Sequence, residues 1–122
     1  MEDWRKKECE NALERLFNVL KDIRAKVAEK CKSVEGPITL YCKHALGDID
    51  DMMNKMGRGS GFIFEEFVGV CGYFRSLSEL LNDDGFIGMR VGLESAFKSV
   101  YWDCCRHNVE ECLKSLKEES RL

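Results

Sequence analysis

Residues 9–31 read CENALERLFNVLKDIRAKVAEKC, and the apolar positions in this stretch recur every three or four residues. That spacing places them on one face of an α-helix, with charged side chains such as Glu14 and Arg24 on the opposite face. We therefore predict an amphipathic helix over about Asp3–Lys32. The helix must end before the pair Gly36-Pro37, because this pair does not continue a helix.

Three further segments show the same helical periodicity. They cover, in chain order, residues 37–56, 63–81 and 86–117. Glycines weaken the start of the last segment, so its regular part is predicted to begin near Val91. The sequences GRGSG at 57–61 and NDDG at 82–85 are typical of loops and turns. Four amphipathic helices joined by short connections predict an all-α, disulfide-stapled antiparallel four-helix bundle, with residues 1–122 forming a single helical domain.

Cysteine is unusually frequent in this chain, with seven residues among 122. A chain of this length buries a core of its own, so disulfides would add to that core rather than replace it. Such cysteine usage is typical of oxidising compartments, and we expect a secreted, extracellular protein. The chain opens Met1-Glu2-Asp3-Trp4-Arg5 without the apolar stretch of a signal peptide. We interpret it as the mature form of a secreted chain, whereas a cytosolic protein with reduced thiols or a zinc site is the competing interpretation.

Axial height along the bundle predicts a disulfide pairing, because each helical residue advances the chain by about 1.5 Å. Cys31 and Cys42 flank one short loop at one end of the bundle, so we predict the bond Cys31–Cys42. Cys9, near the start of the first helix, and Cys112, near the end of the fourth, both lie at the opposite end, so we predict the bond Cys9–Cys112. Cys71 lies in the middle of its helix and is predicted to bond Cys104 or Cys105 across the core. The cysteine count is odd, so one sulfur is left over. Assigning it to an outward Cys105 predicts a disulfide-linked homodimer.

Catalytic and metal chemistry find little support in the sequence. The run Cys104-Cys105-x-His107-x4-Cys112 offers zinc-type ligands, but on a helix Cys105 and Cys112 share one face while Cys104 and His107 share another. No nucleophile, base and oxyanion donor are brought together, so we expect no enzyme, no catalytic residue, no metal and no cofactor. A net charge of −3 without a basic stripe argues against nucleic acid as a partner. No apolar window is long enough for a membrane span.

Binding is therefore the function class that remains. We expect a secreted helical disulfide-rich protein, such as a toxin, effector or signalling ligand, that recognises a receptor or host protein. Residues that fall outside the main apolar stripes or in the glycine loop are candidates for its binding surface: Arg58, Phe62, Tyr73 and Trp4. The alternative is a carrier of a lipid or other apolar ligand in a cavity of the bundle, lined by Phe67, Phe74, Phe97 and Met53. The stripes themselves are predicted to be buried, including Tyr41, Val68 and Leu80.

Overall fold

The computed structural model describes residues 3–58 and 64–105, and within them it contains four α-helices and no strand. The helices are α1 (Asp3–Lys30), α2 (Ile38–Arg58), α3 (Phe64–Leu81) and α4 (Gly85–Cys105). Each helix contacts the next one in the chain, and α1 also packs against α4. In the described residues the backbones of the diagonal pairs α1/α3 and α2/α4 do not approach each other closely. This arrangement confirms the predicted antiparallel four-helix bundle.

All four helices contribute to one hydrophobic core. Its largest fully buried side chains include Leu16 and Leu20 from α1, Ile49 and Met52 from α2, Phe74 and Leu77 from α3, and Phe86 and Leu93 from α4. These residues recur at helical spacing on each helix, so burying their stripes brings the four helices together. The α1–α4 and α2–α3 interfaces are the most extensive, whereas the α1–α2 and α3–α4 interfaces are narrower.

The start of α4 differs from the prediction, because the helix begins at Gly85 rather than near Val91. An Asp83 carboxylate oxygen accepts a hydrogen bond from the Gly85 N–H at 2.8 Å, and the other oxygen pairs with Lys30 Nζ at 2.8 Å. The first N–H groups of a helix have no partner within the helix, so this hydrogen bond to Asp83 stabilises the first turn of α4 despite its glycines. The Lys30 bond and, next, the Gly85 bond hold the pKa of Asp83 below its usual value. The same contact ties the end of α1 to the start of α4.

Two disulfides close the bundle at opposite ends. Cys31–Cys42 bridges the α1–α2 loop with a Cα–Cα distance of 6.2 Å, and it joins the pair that the sequence predicted. Cys9 bonds Cys104, with a Cα–Cα distance of 4.8 Å, so the predicted Cys9–Cys112 bond is wrong. The early start of α4 explains this pairing. A nearly equal number of residues separates Cys9 from Lys30 and Cys104 from Gly85, so the two sulfurs reach the same height.

The remaining cysteines follow from that bond. Cys104 is occupied, so it does not pair with Cys71, and Cys71 is a free, half-buried thiol. This finding corrects the prediction that Cys71 is disulfide-bonded. The prediction of an unpaired, interchain Cys105 concerns a side chain outside the described part of the molecule, and Cys112 lies outside the described residues altogether.

Candidate recognition surfaces

Three aromatic side chains from α2 and α3 meet on the outside of the bundle. The Tyr73 ring stacks on the His44 imidazole, with centroids 5.7 Å apart and planes 15° apart. Tyr41 approaches the same Tyr73 ring edge-on, at 6.3 Å and 67°. Tyr41 and His44 are exposed and Tyr73 is half-buried. We call these three residues the α2–α3 aromatic surface. Each of the two tyrosines combines an apolar ring with a polar hydroxyl.

A carboxylate lies beside this surface. Asp48 is one turn beyond His44 on α2, and its side chain lies against the α3 backbone at Gly69. A Cβ built on Gly69 would come within 2.5 Å of Asp48 Oδ2, so glycine at this position allows the close approach of the two helices. Burial raises the pKa of Asp48, and the nearby Asp51 and Glu66 carboxylates raise it further, while His44 opposes the shift. The surface therefore carries an acidic margin.

A groove of about 360 Å³ opens between α3 and α4. Its apolar lining comes from Phe67, Val68 and Cys71 on α3 and from Phe97 and Tyr101 on α4, with Glu94 and Lys98 at its edge. The Phe67 and Phe97 rings stack with centroids 4.1 Å apart and planes 10° apart. We call this site the α3–α4 groove. The α3–α4 interface, like the α1–α2 interface, is narrower than the α1–α4 and α2–α3 interfaces.

Cys71 is the thiol in this groove. Its pKa is raised to about 11, mainly because the thiol is partly buried. The Glu94 carboxylate raises the pKa further, and Arg90 opposes the shift. The thiolate is the nucleophilic form of cysteine, so this thiol is protonated and unreactive at neutral pH. The arrangement suits packing against an apolar partner and does not suit nucleophilic catalysis.

The predicted binding residues do not form one surface. Tyr73 belongs to the α2–α3 aromatic surface, whereas Trp4 is half-exposed in the first turns of α1, which is diagonal to α3. Arg58 is the last residue of α2, but its side chain lies outside the described part of the molecule, as does the whole of Phe62. The structure therefore adds Tyr41 and His44 to Tyr73 and separates Trp4 from it.

Tyr41 was missed because it was assigned to the buried face of α2, yet 39% of it is exposed. The spacing of Tyr41 and His44, three residues apart on one helix, was the available signal. No pattern within α2 points to Tyr73, which reaches them from another helix.

The residues proposed for a carrier cavity are used in different ways. Phe74 is fully buried in the core and Met53 packs against the core from its margin. Phe67 and Phe97 contact each other, and the open space beside them is the α3–α4 groove.

Residues 3–58 and 64–105 offer neither a grouped set of metal ligands nor a membrane-spanning helix. Within these ranges no three His, Cys, Asp or Glu side chains are grouped as metal ligands would be. His107 and Cys112, from the zinc-like run, lie outside them. In the same ranges no helix combines the length and apolar character needed to cross a bilayer.

The fold and these surfaces define a class, the disulfide-stapled helical bundle with exposed aromatic and apolar sites. Comparison with protein-family models, with curated proteins and with solved structures finds no match to this chain.

Proposed function

We propose that this chain is a secreted recognition protein, a toxin, effector or signalling ligand, that binds a receptor or host protein through the α2–α3 aromatic surface. The observation that carries the proposal is the cluster of Tyr41, His44 and Tyr73, which straddles two helices on the outside of the bundle. Tyrosine is enriched at protein interfaces, because its ring supplies contact area and its hydroxyl supplies a hydrogen bond at low conformational cost.

The scaffold supports this role. The disulfides are typical of an oxidising, extracellular-type environment, and secretion follows from them as part of the proposal. They fix α1 to α4 at one end and α1 to α2 at the other. A surface held in place before binding loses less conformational entropy when a partner docks, which favours affinity.

Site-specific photocrosslinking tests the proposal. A photoreactive phenylalanine analogue would replace Tyr41 and, in a matched control, exposed Glu14 on α1, and each protein would be incubated with extracellular fluid and cell surfaces of the source organism. We expect a discrete protein adduct at position 41 only, competed by unlabelled wild type and not by a Tyr73→Ala variant that retains its thermal unfolding midpoint. Equal adducts at positions 41 and 14, or no competition by wild type, would refute the proposal.

The second candidate function is transport of an apolar ligand, favoured by the α3–α4 groove. Its volume lies within the range of small-molecule sites, and Phe67, Phe97 and Tyr101 give it an aromatic lining. Native mass spectrometry followed by organic extraction distinguishes this function. A stoichiometric extractable ligand that is lost in a Val68→Trp variant would support the carrier. Ligand-free protein that still gives the Tyr41 adduct would support protein recognition alone.

A further inference from the structure

Among the described residues, α4 exposes more large hydrophobic side chains than any other helix, namely Ile87, Val91 and Trp102. Of the large hydrophobic side chains that are exposed in the described residues, those on α3 and α4 are Val68, Leu80, Ile87, Val91 and Trp102. A helix that is apolar on several sides is normally covered on those sides. On α4, the core stripe through Phe86, Met89, Leu93 and Phe97 is covered by the bundle, but Val91 remains 56% exposed.

Two of these exposed residues, Ile87 and Val91, begin a second stripe on α4. The residues Ile87, Val91, Glu94, Lys98 and Tyr101 follow one another at intervals of four and three. Such intervals keep side chains on one face, as in the contact seam of paired helices. We call these five residues the outer stripe of α4. It spans roughly 21 Å of helix and continues into the α3–α4 groove, which its last three members line.

The order of residues in the outer stripe is self-complementary. If a second α4 lies antiparallel with its midpoint at Ala96, Glu94 faces Lys98 of the second copy and Lys98 faces Glu94. In the same register Val91 faces Tyr101 of the second copy. One two-fold axis therefore forms two ion pairs at the centre and two apolar contacts outside them, which is the pattern of an isologous interface.

The other charges on this side do not oppose such a contact. On α3, Arg75 pairs with Glu79 at 3.8 Å, and on α4 Arg90 pairs with Glu94 at 3.4 Å. The described part of α4 is also balanced in charge, with Arg90 and Lys98 against Glu94 and Asp103.

We propose that two copies of this chain associate through the outer stripes of α4, packed antiparallel about a two-fold axis between Glu94 and Lys98. The partner is a second copy, and the contact is noncovalent. This association leaves Tyr41 and His44 of each copy on the far pair of helices, so the dimer would present two aromatic surfaces. The inference does not depend on the proposed function, since it rests on different residues.

Charge exchange tests the register directly. Sedimentation velocity would be measured over a wide concentration range for wild type, Glu94→Lys, Lys98→Glu and the double variant. Each single substitution places like charges opposite each other twice, and we expect dimer affinity to fall by about tenfold or more. The double variant restores opposite charges and is expected to recover most of the wild-type affinity. Circular dichroism would confirm that all four proteins remain folded.

An apolar pair of variants completes the experiment. Val91→Asp should abolish the dimer, whereas Leu40→Asp on α2, where Leu40 is 57% exposed, should leave it unchanged. A wild type that is monomeric at every concentration would overturn the proposal. So would single charge variants that dimerise like wild type, a double variant no better than the singles, or an α3–α4 groove filled by an extractable ligand in monomeric protein.

Discussion

The helices α1 and α4 pack against each other and share a disulfide, yet their outer faces differ. Each buries one stripe of apolar side chains, represented by Leu16 on α1 and Leu93 on α4. Away from the core, most of α1 carries exposed charged residues, with Arg24 reaching across to Asp50 and Lys26 pairing with Asp22. The outer stripe of α4 instead exposes Ile87 and Val91. The contrast separates residues that the fold needs from residues that it leaves available for contact.

The largest expected difference is between the contributions of the two disulfides to stability, because the bonds close loops of very different length. Cys9–Cys104 joins residues 95 apart in the chain, whereas Cys31–Cys42 joins residues 11 apart. In the chain-entropy description, removing the first costs ~4.7 kcal/mol and removing the second about 3 kcal/mol. Urea unfolding of the Cys9→Ala/Cys104→Ala and Cys31→Ala/Cys42→Ala variants measures both losses. A larger loss from the short loop would contradict this ranking.

The two stripes of α4 should respond differently to truncation. Leu93 is fully buried, and we expect Leu93→Ala to lower the free energy of unfolding by roughly 2–5 kcal/mol because it leaves a cavity. Val91 is exposed, and Val91→Ala should change it by less than about 0.5 kcal/mol. Chemical denaturation of dilute protein measures both. A similar large loss from each would show that the outer stripe is part of the core.

Two helical glycines with different surroundings give a smaller difference in stability. A Cβ at Gly92 on α4 would meet no atom within 4 Å, so Gly92→Ala is expected to raise the free energy of unfolding by about 1 kcal/mol through helix propensity. At Gly69 a Cβ would meet the Asp48 carboxylate. Gly69→Ala should therefore raise the free energy of unfolding by less than Gly92→Ala does, or lower it. Thermal and urea unfolding of the two variants decide the point, and an equal gain at both would mean that Asp48 moves away freely.

The smallest expected effect is the pH dependence that Cys71 contributes. Its pKa rises from an ordinary value of 9.0 to about 11 in the folded protein, so the folded state holds this proton more tightly than the unfolded state. Stability from this group is complete below pH 9 and falls as the pH rises toward 11. Unfolding measured across that range should show a shallower decline for Cys71→Ala than for wild type. Parallel declines would place the thiol in a more solvated position than the groove provides.

The elements of the fold could be predicted from the sequence because periodicity and loop residues are local signals. The stripe of α1 and the bond between Cys31 and Cys42 required only neighbouring residues. The bond from Cys9 to Cys104 required the start of α4, which depends on the Asp83 carboxylate and on Lys30 from a distant helix. Glycine content alone gave the wrong start, and the height of Cys9 was assigned to Cys112, near the end of a fourth helix predicted to reach residue 117.

Exposed residues were harder to predict, because the apolar character of a residue does not show whether a neighbouring helix covers it. Val68 and Leu80 fit the stripe of α3, yet both are about half exposed. Val68 lines the α3–α4 groove, where the narrow contact between the two helices leaves it uncovered, and that contact is a property of the whole bundle. The aromatic surface likewise depends on α2 and α3 meeting at Tyr73.

Concentration-dependent side-chain footprinting with a carbene reagent tests the contrast between the two sides of the bundle most directly. Modification would be quantified at Val68 and Val91 on the α3–α4 side and at Leu40 on α2, in dilute and concentrated protein. We predict that labelling of Val91, and to a lesser extent Val68, falls as concentration rises while labelling of Leu40 stays constant. Unchanged labelling at Val91, or an equal fall at Leu40, would contradict the account.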